Sequence, residues 1–453
     1  MQTTTFNSFD SSDALEQRGR GLSKSALYSD MLATRRRTLA GVQAYCEALG
    51  ETLTIPYDPT LNPPRWELGH IGWFYDWWIT RNPEYRLGLN ADPEVGRSPS
   101  RQVSKGRDAD ALYNSSDVDH SDRWVISLPV IQETLQELEE SLEDALDYLI
   151  RLNDEQGAFY FFKLAVLHED MHAEAAVYMA QTLGIPMSFD WRGLVNNVHS
   201  LESGVDSARG RLVDTAPVAA PLNPIQLLKP EHWVLGQEEN GFVFDNERPM
   251  RTIKIKPFEI DSKPISWKDY LAFISDEGYK REELWSKEGW VWLNAQQADR
   301  TRVKDPKNRL LPRYLQEDSG TWFHQVFEKF EAVGLRDTAC HLSYFEAQAW
   351  CNWKGRRLPT EAEWEWASHQ PNFHYGDVWE WTASPFLPFC HLSEFRCHPY
   401  RDYSLPWFDG RPVLKGHSWA TPKNLQHRKF RNFFTPERND IFVGFRSAKC
   451  LST

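Results

Sequence analysis

The 453-residue chain carries 51 Lys and Arg against 64 Asp and Glu, a formal net charge of −13. That length exceeds what one hydrophobic core usually serves, so two or three domains are expected. The acidic balance argues against a nucleic-acid partner, which would need clustered Lys and Arg, while 20 Trp supply broad flat surface for cores or pocket walls.

The N-terminus lacks the basic-then-apolar pattern of a secretory signal. Residues 1–24 are polar and are expected to be disordered. No stretch approaches the roughly 18 to 20 apolar residues a membrane helix needs, so no membrane partner is expected. Cys46, Cys340, Cys351, Cys390, Cys397 and Cys450 form no CxxC, which reads as a reducing, cytoplasmic setting without a disulfide framework.

Leu27, Met31, Leu32, Leu39, Val42 and Leu49 recur at helical spacing. Pro63 and Pro64 predict a helix start, with residues 66–80 following. Residues 90–124 read as a loop. Leu135, Leu138, Leu142, Ala145, Leu146 and Leu149 predict an amphipathic helix over 131–152, and another follows over 158–183. These four helices predict an all-α four-helix bundle over 25–195. Residues 196–228 read as a linker. From 229 to 453 short alternating runs, such as Thr252-Ile253-Lys254-Ile255-Lys256, and a helix at 344–354 predict an α+β domain.

The sharpest chemical signal is His168-Glu169-Asp170-Met171-His172. Residues four apart share one helix face, so both imidazoles can reach one metal ion. The apolar neighbours Leu164, Ala165, Val166, Leu167, Ala175, Ala176 and Val177 turn part of that face inward. A catalytic site needs a third ligand. His70 fits, flanked by Gly69 and Gly72, whose cost to a helix a close approach by a neighbouring element would explain. Glu174 points roughly 160° away from the histidine face, so it reads as a supporting or salt-bridging group rather than a ligand. Three neutral imidazoles leave an octahedral ion open positions, which suits Fe(II).

The string Arg357-Leu358-Pro359-Thr360-Glu361-Ala362-Glu363-Trp364-Glu365-Trp366-Ala367 is specific, as is Asp377-Val378-Trp379-Glu380-Trp381-Thr382. With Asp245-Asn246-Glu247-Arg248-Pro249, Lys415-Gly416-His417-Ser418-Trp419 and Gly444-Phe445-Arg446, these strings resemble the formylglycine-generating-enzyme (sulfatase-modifying factor) fold, a C-type-lectin-like domain. The first domain resembles the DinB bundle, whose metal site uses three histidines. Joined in this order, over residues 25–450, the two resemble the iron-dependent sulfoxide synthases of ergothioneine and ovothiol biosynthesis, and the absence of a following methyltransferase domain argues against the ovothiol arrangement. The resemblance implies an oxidoreductase with Fe(II) on His70, His168 and His172 and O2 as co-substrate. It implies oxidative joining of a chalcogen atom to C2 of the imidazole of hercynine. It also implies a tyrosine hydroxyl that supplies a proton, with Tyr400 the first choice and Tyr403 the second.

Several positions depart from the members that use γ-glutamylcysteine. Met171 stands where the family often has a Gln contacting the imidazole substrate. Phe434 stands where an acidic residue holds the donor's amino group. His120 replaces one of two arginines that hold donor carboxylates, while Arg123 keeps the other and Arg438 matches a further donor-pocket arginine. Loss of a carboxylate removes an ammonium partner that a dry pocket cannot easily replace. A less charged donor then becomes the expectation, and Asp108-Ala109-Asp110-Ala111-Leu112-Tyr113-Asn114-Ser115-Ser116 and Asp440-Ile441-Phe442 resemble the selenoneine synthase branch, which uses a selenosugar; cysteine or γ-glutamylcysteine is the alternative donor. The trimethylammonium of hercynine calls for aromatic faces, with residues 73–78 and 375–381 as candidates.

Three other readings compete. A zinc peptidase explains HExxH, with Glu169 as general base, but leaves His70 and the second domain without a role and lacks HExxHxxGxxH. Formylglycine generation needs a cysteine pair within residues 417–431, where there is none. A non-enzymatic binding module on a lectin-like fold leaves the histidine pair unexplained.

Overall fold

The computed structural model describes residues 20–153, 157–187, 225–227, 232–237, 241–298, 310–395 and 403–451. Expectations for residues 1–19, for most of the linker and for Tyr400 fall outside these segments.

The N-terminal half is built on four long helices. α1 (Lys24–Leu49) starts at Ser23, whose side chain accepts from the Ala26 amide, and stops at Gly50, which has φ 73°. α2 (Pro64–Tyr75) begins with Pro at its first turn, where a missing N–H costs nothing, and runs into one π-helical turn at Asp76–Thr80. Between α2 and the next long helix, the segment read as loop contains a short helix, α3 (Ala109–Tyr113), capped by the Asp108 side chain. α4 (Ile131–Arg151) buries Leu138, Leu142, Ala145 and Leu149. α5 (Tyr160–Leu183) ends at Gly184 in the left-handed region. Arg20, expected in a fraying terminus, is instead buried and ion-paired with Glu247 of the second domain.

The second domain is α+β. Its helices are α6 (Trp267–Ser275), α7 (Lys287–Ala298), α8 (Tyr344–Trp353) and α9 (Glu361–Ser368). Only α8 was foreseen. α8 and α9 both start with a capping box, Ser343 with Glu346 and Thr360 with Glu363. The strands are short: β1 (Ile225–Leu227), β2 (Trp233–Leu235), β3 (Arg251–Ile253), β4 (Phe258–Ile260), β5 (Leu315–Asp318), β6 (Thr321–Val326), β7 (Lys329–Ala332), β8 (Trp379–Pro385), β9 (Pro412–Gly416), β10 (Asn432–Phe433), β11 (Val443–Gly444) and β12 (Ala448–Cys450). They form sheets of order β1-β4-β12, β10-β9-β8-β11, β5-β6-β7 and β2-β3. The β8–β11 pairing is parallel.

The specific strings of this half are internal scaffolding. Arg446 and Glu380 form an ion pair with both side chains at 0% exposure, and Trp364 donates to the same carboxylate. Arg431 pairs with Glu361 of α9, and Arg357 with Glu363. Breaking a buried pair leaves an uncompensated charge, so these residues are held together as a set.

α5 is buried on nearly every side because the bundle takes one face and the second domain takes another. Asp170 accepts from Asn424 Nδ2 at 2.9 Å. Glu174 Oε1 accepts from Trp379 Nε1 at 2.8 Å, Ser418 Oγ at 2.7 Å and Thr421 Oγ1 at 2.6 Å. Tyr178 meets Phe434 edge-on. Gln181 bonds the Gln325 carbonyl and the Phe327 amide, and Thr182 bonds Tyr314. Positions 170, 174, 178 and 181–182 recur at helical spacing, so one stripe of α5 docks the second domain.

Candidate metal centre

The docking stripe fixes which way the remaining faces of α5 point. His168 and His172 lie on a different face, opposite α2. His70 on α2 completes a cluster whose ligand atoms all lie within 4.8 Å of one another. His168 Nε2 is 3.1 Å from His70 Nε2 and 3.1 Å from His172 Nε2.

Each ring is held from behind. His70 Nδ1 donates to the Tyr113 carbonyl at 2.8 Å. Gly69 makes that possible, because a Cβ there would lie 2.2 Å from the Tyr113 ring. Gly72 is less demanding, with Leu138 Cα at 3.6 Å from its would-be Cβ. His70 also stacks on Trp66, with centroids 4.9 Å apart and planes at 9°. His172 Nδ1 donates to the buried carboxylate of Glu67. His168 stacks on Phe74 at 3.6 Å, and its buried Nδ1 has no hydrogen-bond partner among the described residues.

These contacts set the tautomers. With Nδ1–H committed to a carbonyl and to a carboxylate, His70 and His172 both turn an Nε2 lone pair toward His168. One N–H on His168 Nε2 can satisfy only one of the two. The cluster is therefore short of protons and suited to a cation, and its all-imidazole donor set fits a first-row divalent metal such as iron. Burial, with His172 adding to it, lowers the His70 pKa to about 3, so that ring stays neutral. Burial likewise pushes His168 far down. Burial alone would raise the Glu67 carboxyl, but His172 beside it holds it below the usual range.

Residues 227–375 and 372–451 match the sulfatase-modifying factor enzyme 1-like domain, and residues 32–181 match the DinB superfamily. The hercynine oxygenase of Mycolicibacterium smegmatis is 28% identical, covering 94% of this chain and 99% of the relative. That of Mycolicibacterium thermoresistibile is 27% identical, covering 94% and 95%. The chain belongs to the ergothioneine sulfoxide synthase family. It is an enzyme, joining a DinB bundle to a sulfatase-modifying-factor domain. Bos taurus inactive C-alpha-formylglycine-generating enzyme 2 is 31% identical, covering 45% of this chain and 81% of that relative.

Within the synthase, the other expected site residues are dispersed around the histidines. On the mostly buried α5, Met171, His172, Ala175, Ala176 and Tyr178 are half-buried. Phe434 and Arg438 reach Tyr178: the guanidinium lies 4.9 Å from the Phe434 ring centroid and 5.8 Å from that of Tyr178. Both Arg438 Nε and Nη2 are held by Asp440. Arg123 lies 4.1 Å over Trp66, which itself stacks on His70. It bonds Asn62 at 2.9 Å and makes no direct ion pair among the described residues, although the Glu67 and Asp119 carboxylates act on it electrostatically. His120 Nε2 bonds the Leu61 carbonyl at 2.7 Å and packs against Tyr57 and Trp124. Tyr403 stacks on Phe244 at 4.8 Å, within the second domain. Tyr400 lies outside the described residues.

Several expectations need correction. Glu169 is no general base beside the metal: it is fully buried and paired with Arg35 of α1, with Thr38 donating to it as well. Of the two roles expected for Glu174, the salt bridge is absent among the described residues, and three neutral donors hold its carboxylate as a supporting group. The tryptophans between 73 and 78 are not open cation cages. Trp73 donates to Asp110, and Arg81 and Arg97 already cover Trp77, with Arg97 also over Trp78. Trp379 and Trp381 are buried. Glu67 went unnoticed in the sequence, although it lies one helical turn before His70 and so shares its face. The five described cysteines are free thiols, and among the described residues no helix is long and apolar enough to cross a membrane.

Proposed function

We propose that the synthase couples a chalcogen donor to C2 of the hercynine imidazole, with Fe(II) on His70, His168 and His172 and O2 as the oxidant. The convergence of the three Nε2 atoms supports this reading above all, and the hercynine oxygenase relatives supply its substrate. In the coupling, the imidazole C2–H and the donor Se–H (or S–H) bonds break, the C–Se (or C–S) bond forms, and O2 ends as the selenoxide (or sulfoxide) oxygen plus water. When bound, the iron would supply the redox chemistry with O2. The protein's own part is positioning, which turns a two-substrate encounter into a local one. Glu67 and the Tyr113 carbonyl hold the ring orientations. Met171, as the half-buried residue beside His172, borders the substrates. We propose Tyr400 as the hydroxyl that supplies a proton; the Tyr403 ring is engaged with Phe244 and Phe433 and is read as packing.

A selenosugar is the proposed donor. Arg438 is neutralised by Asp440, Phe434 offers no charge, and His120 is tied to a carbonyl. Of these, Arg123 makes no direct ion pair among the described residues. Among the described residues this leaves one guanidinium for the single carboxylate of hercynine and no matching set of charges for a donor with two carboxylates and an ammonium. The relatives keep a second donor in view: cysteine or γ-glutamylcysteine, giving an ergothioneine-type sulfoxide. A zinc peptidase has lost its base with Glu169. The proposed location is the cytoplasm, in keeping with free thiols.

The test is anaerobic loading with Fe(II), then O2 uptake with hercynine and each donor in turn, with the product read by mass spectrometry. Selenium and sulfur give distinct isotope patterns. Hercynine-dependent uptake with the selenosugar supports the proposal, uptake with thiols alone reassigns the donor, and no uptake with any donor sinks the reaction.

A further inference from the structure

Behind His172, between α1, α2 and α5, lies a partly enclosed cavity of about 40 Å³. Its walls are apolar, with Val42, Leu68, Ile71 and Met179 among them, and small residues at Gly41, Ala173 and Ala176 leave the room. Its polar end is the bonded pair of Glu67 and His172. The two other polar side chains on the wall are committed elsewhere: the Thr38 hydroxyl donates to Glu169, and the Tyr45 hydroxyl donates to the Ala176 carbonyl at 2.7 Å. A buried water wants two to four polar partners, whereas apolar cavities stay dry and take up apolar atoms such as xenon. At 40 Å³ the space is several times the roughly 10–15 Å³ that a single water needs.

We propose that this cavity is a holding site for a small apolar gas, dioxygen in the working enzyme, one imidazole ring away from the point where the three Nε2 atoms meet. The gas site stands on the cavity itself; its assignment to dioxygen rests on the O2-dependent reaction proposed above. In the reaction proposed above the polar substrates lie on the Met171 side of His172, so oxidant and substrates would be held on different sides of that ring.

Xenon is the probe, applied to the metal-free protein in crystals under pressure or by 129Xe NMR. Xenon should occupy the space between Val42, Ile71 and Ala176, and Ala176→Leu, which fills it, should remove the site. The same variant should raise the KM for O2 several-fold while iron content and the KM for hercynine stay at wild-type values. Should Ala176→Leu fold poorly, the smaller Ala173→Val serves, and Leu68→Ala should increase xenon occupancy. Absence of xenon from this space in the wild-type chain would overturn the proposal, as would an unchanged KM for O2 in a filled variant that has lost xenon. Failure of the reaction itself reads differently: xenon bound without any hercynine-dependent O2 uptake upholds the gas site and removes its dioxygen role.

Discussion

Glu67 of α2 accepts the Nδ1–H of His172 of α5, so a carboxylate from one helix orients a metal-facing imidazole on another. This link makes the centre a property of how two helices pack rather than of one motif. Glu67→Gln keeps the size but loses the charge behind the ring. Outer partners of metal histidines are typically worth about 10–100-fold in affinity. Fe(II) affinity should fall by that order in the variant, measured by anaerobic titration, with thermal stability much less affected. Unchanged affinity would mean that Glu67 is only packing.

The two glycines around His70 should respond oppositely. A Cβ on Gly69 meets the Tyr113 ring at 2.2 Å. Overpacking of that kind typically costs about 1–3 kcal/mol, and it would move the carbonyl that orients His70. Gly69→Ala should lose both stability and iron. Gly72→Ala meets ordinary contacts at 3.6 Å and more, and should gain up to about 1 kcal/mol from helix propensity. Chemical denaturation of the two variants checks the contrast.

Glu174 should matter to the joint between the halves. Glu174→Ala leaves the Trp379, Ser418 and Thr421 donors unmet, at a cost of about 1–3 kcal/mol for a buried group left without its partner. Glu174→Gln keeps a carbonyl oxygen for them and should be milder. Faster amide exchange in residues 417–425 in the Ala variant, with wild-type exchange in α4, would locate the effect at the seam; uniform loss across the chain would not.

Burial raises the Asp245 carboxyl to about 7. One of its oxygens accepts from Ser404, and the other has no hydrogen-bond partner among the described residues. An unfolded Asp titrates near about 3.9. Between those values the folded chain holds a proton that the unfolded chain has released. This group therefore lowers stability as pH rises through that window, by at most about 1.4 kcal/mol per pH unit, and its effect levels off above the folded value. Asp245→Asn should remove that slope. Denaturant midpoints of both proteins from pH 4 to 8 give the difference directly, and parallel curves would refute it.

Arg123→Met tests the guanidinium that lies over Trp66. If it holds the carboxylate of hercynine, the KM for hercynine should rise by an order of magnitude or more, with iron content unchanged. An effect confined to the donor would move Arg123 to the donor side of the cleft.

The bundle was legible because helical periodicity and the histidine spacing are local properties. Leu138, Leu142, Ala145 and Leu149 declare their face wherever α4 packs, and His168 and His172 share a face on any helix. Glu67 was hidden because its importance depends on which helix lies opposite. The same holds for Arg123, which gains its place by lying over Trp66 across more than fifty residues of chain. α6, α7 and α9 were missed because they are short and rich in Trp and charge, without the repeated turns that periodicity needs. The most recognisable strings, around Glu361 and Glu380, identify the fold because their buried ion pairs tolerate little change; the structure puts them in the scaffold rather than around the histidines.

The most direct test of the central claim is X-ray absorption on the chain loaded anaerobically with Fe(II), alongside its iron stoichiometry. The account predicts one iron per chain with three imidazole ligands, and two imidazoles or no bound iron after His70→Gln. Iron bound through carboxylate or thiolate, or iron unaffected by replacing His70, His168 and His172 in turn, would contradict it.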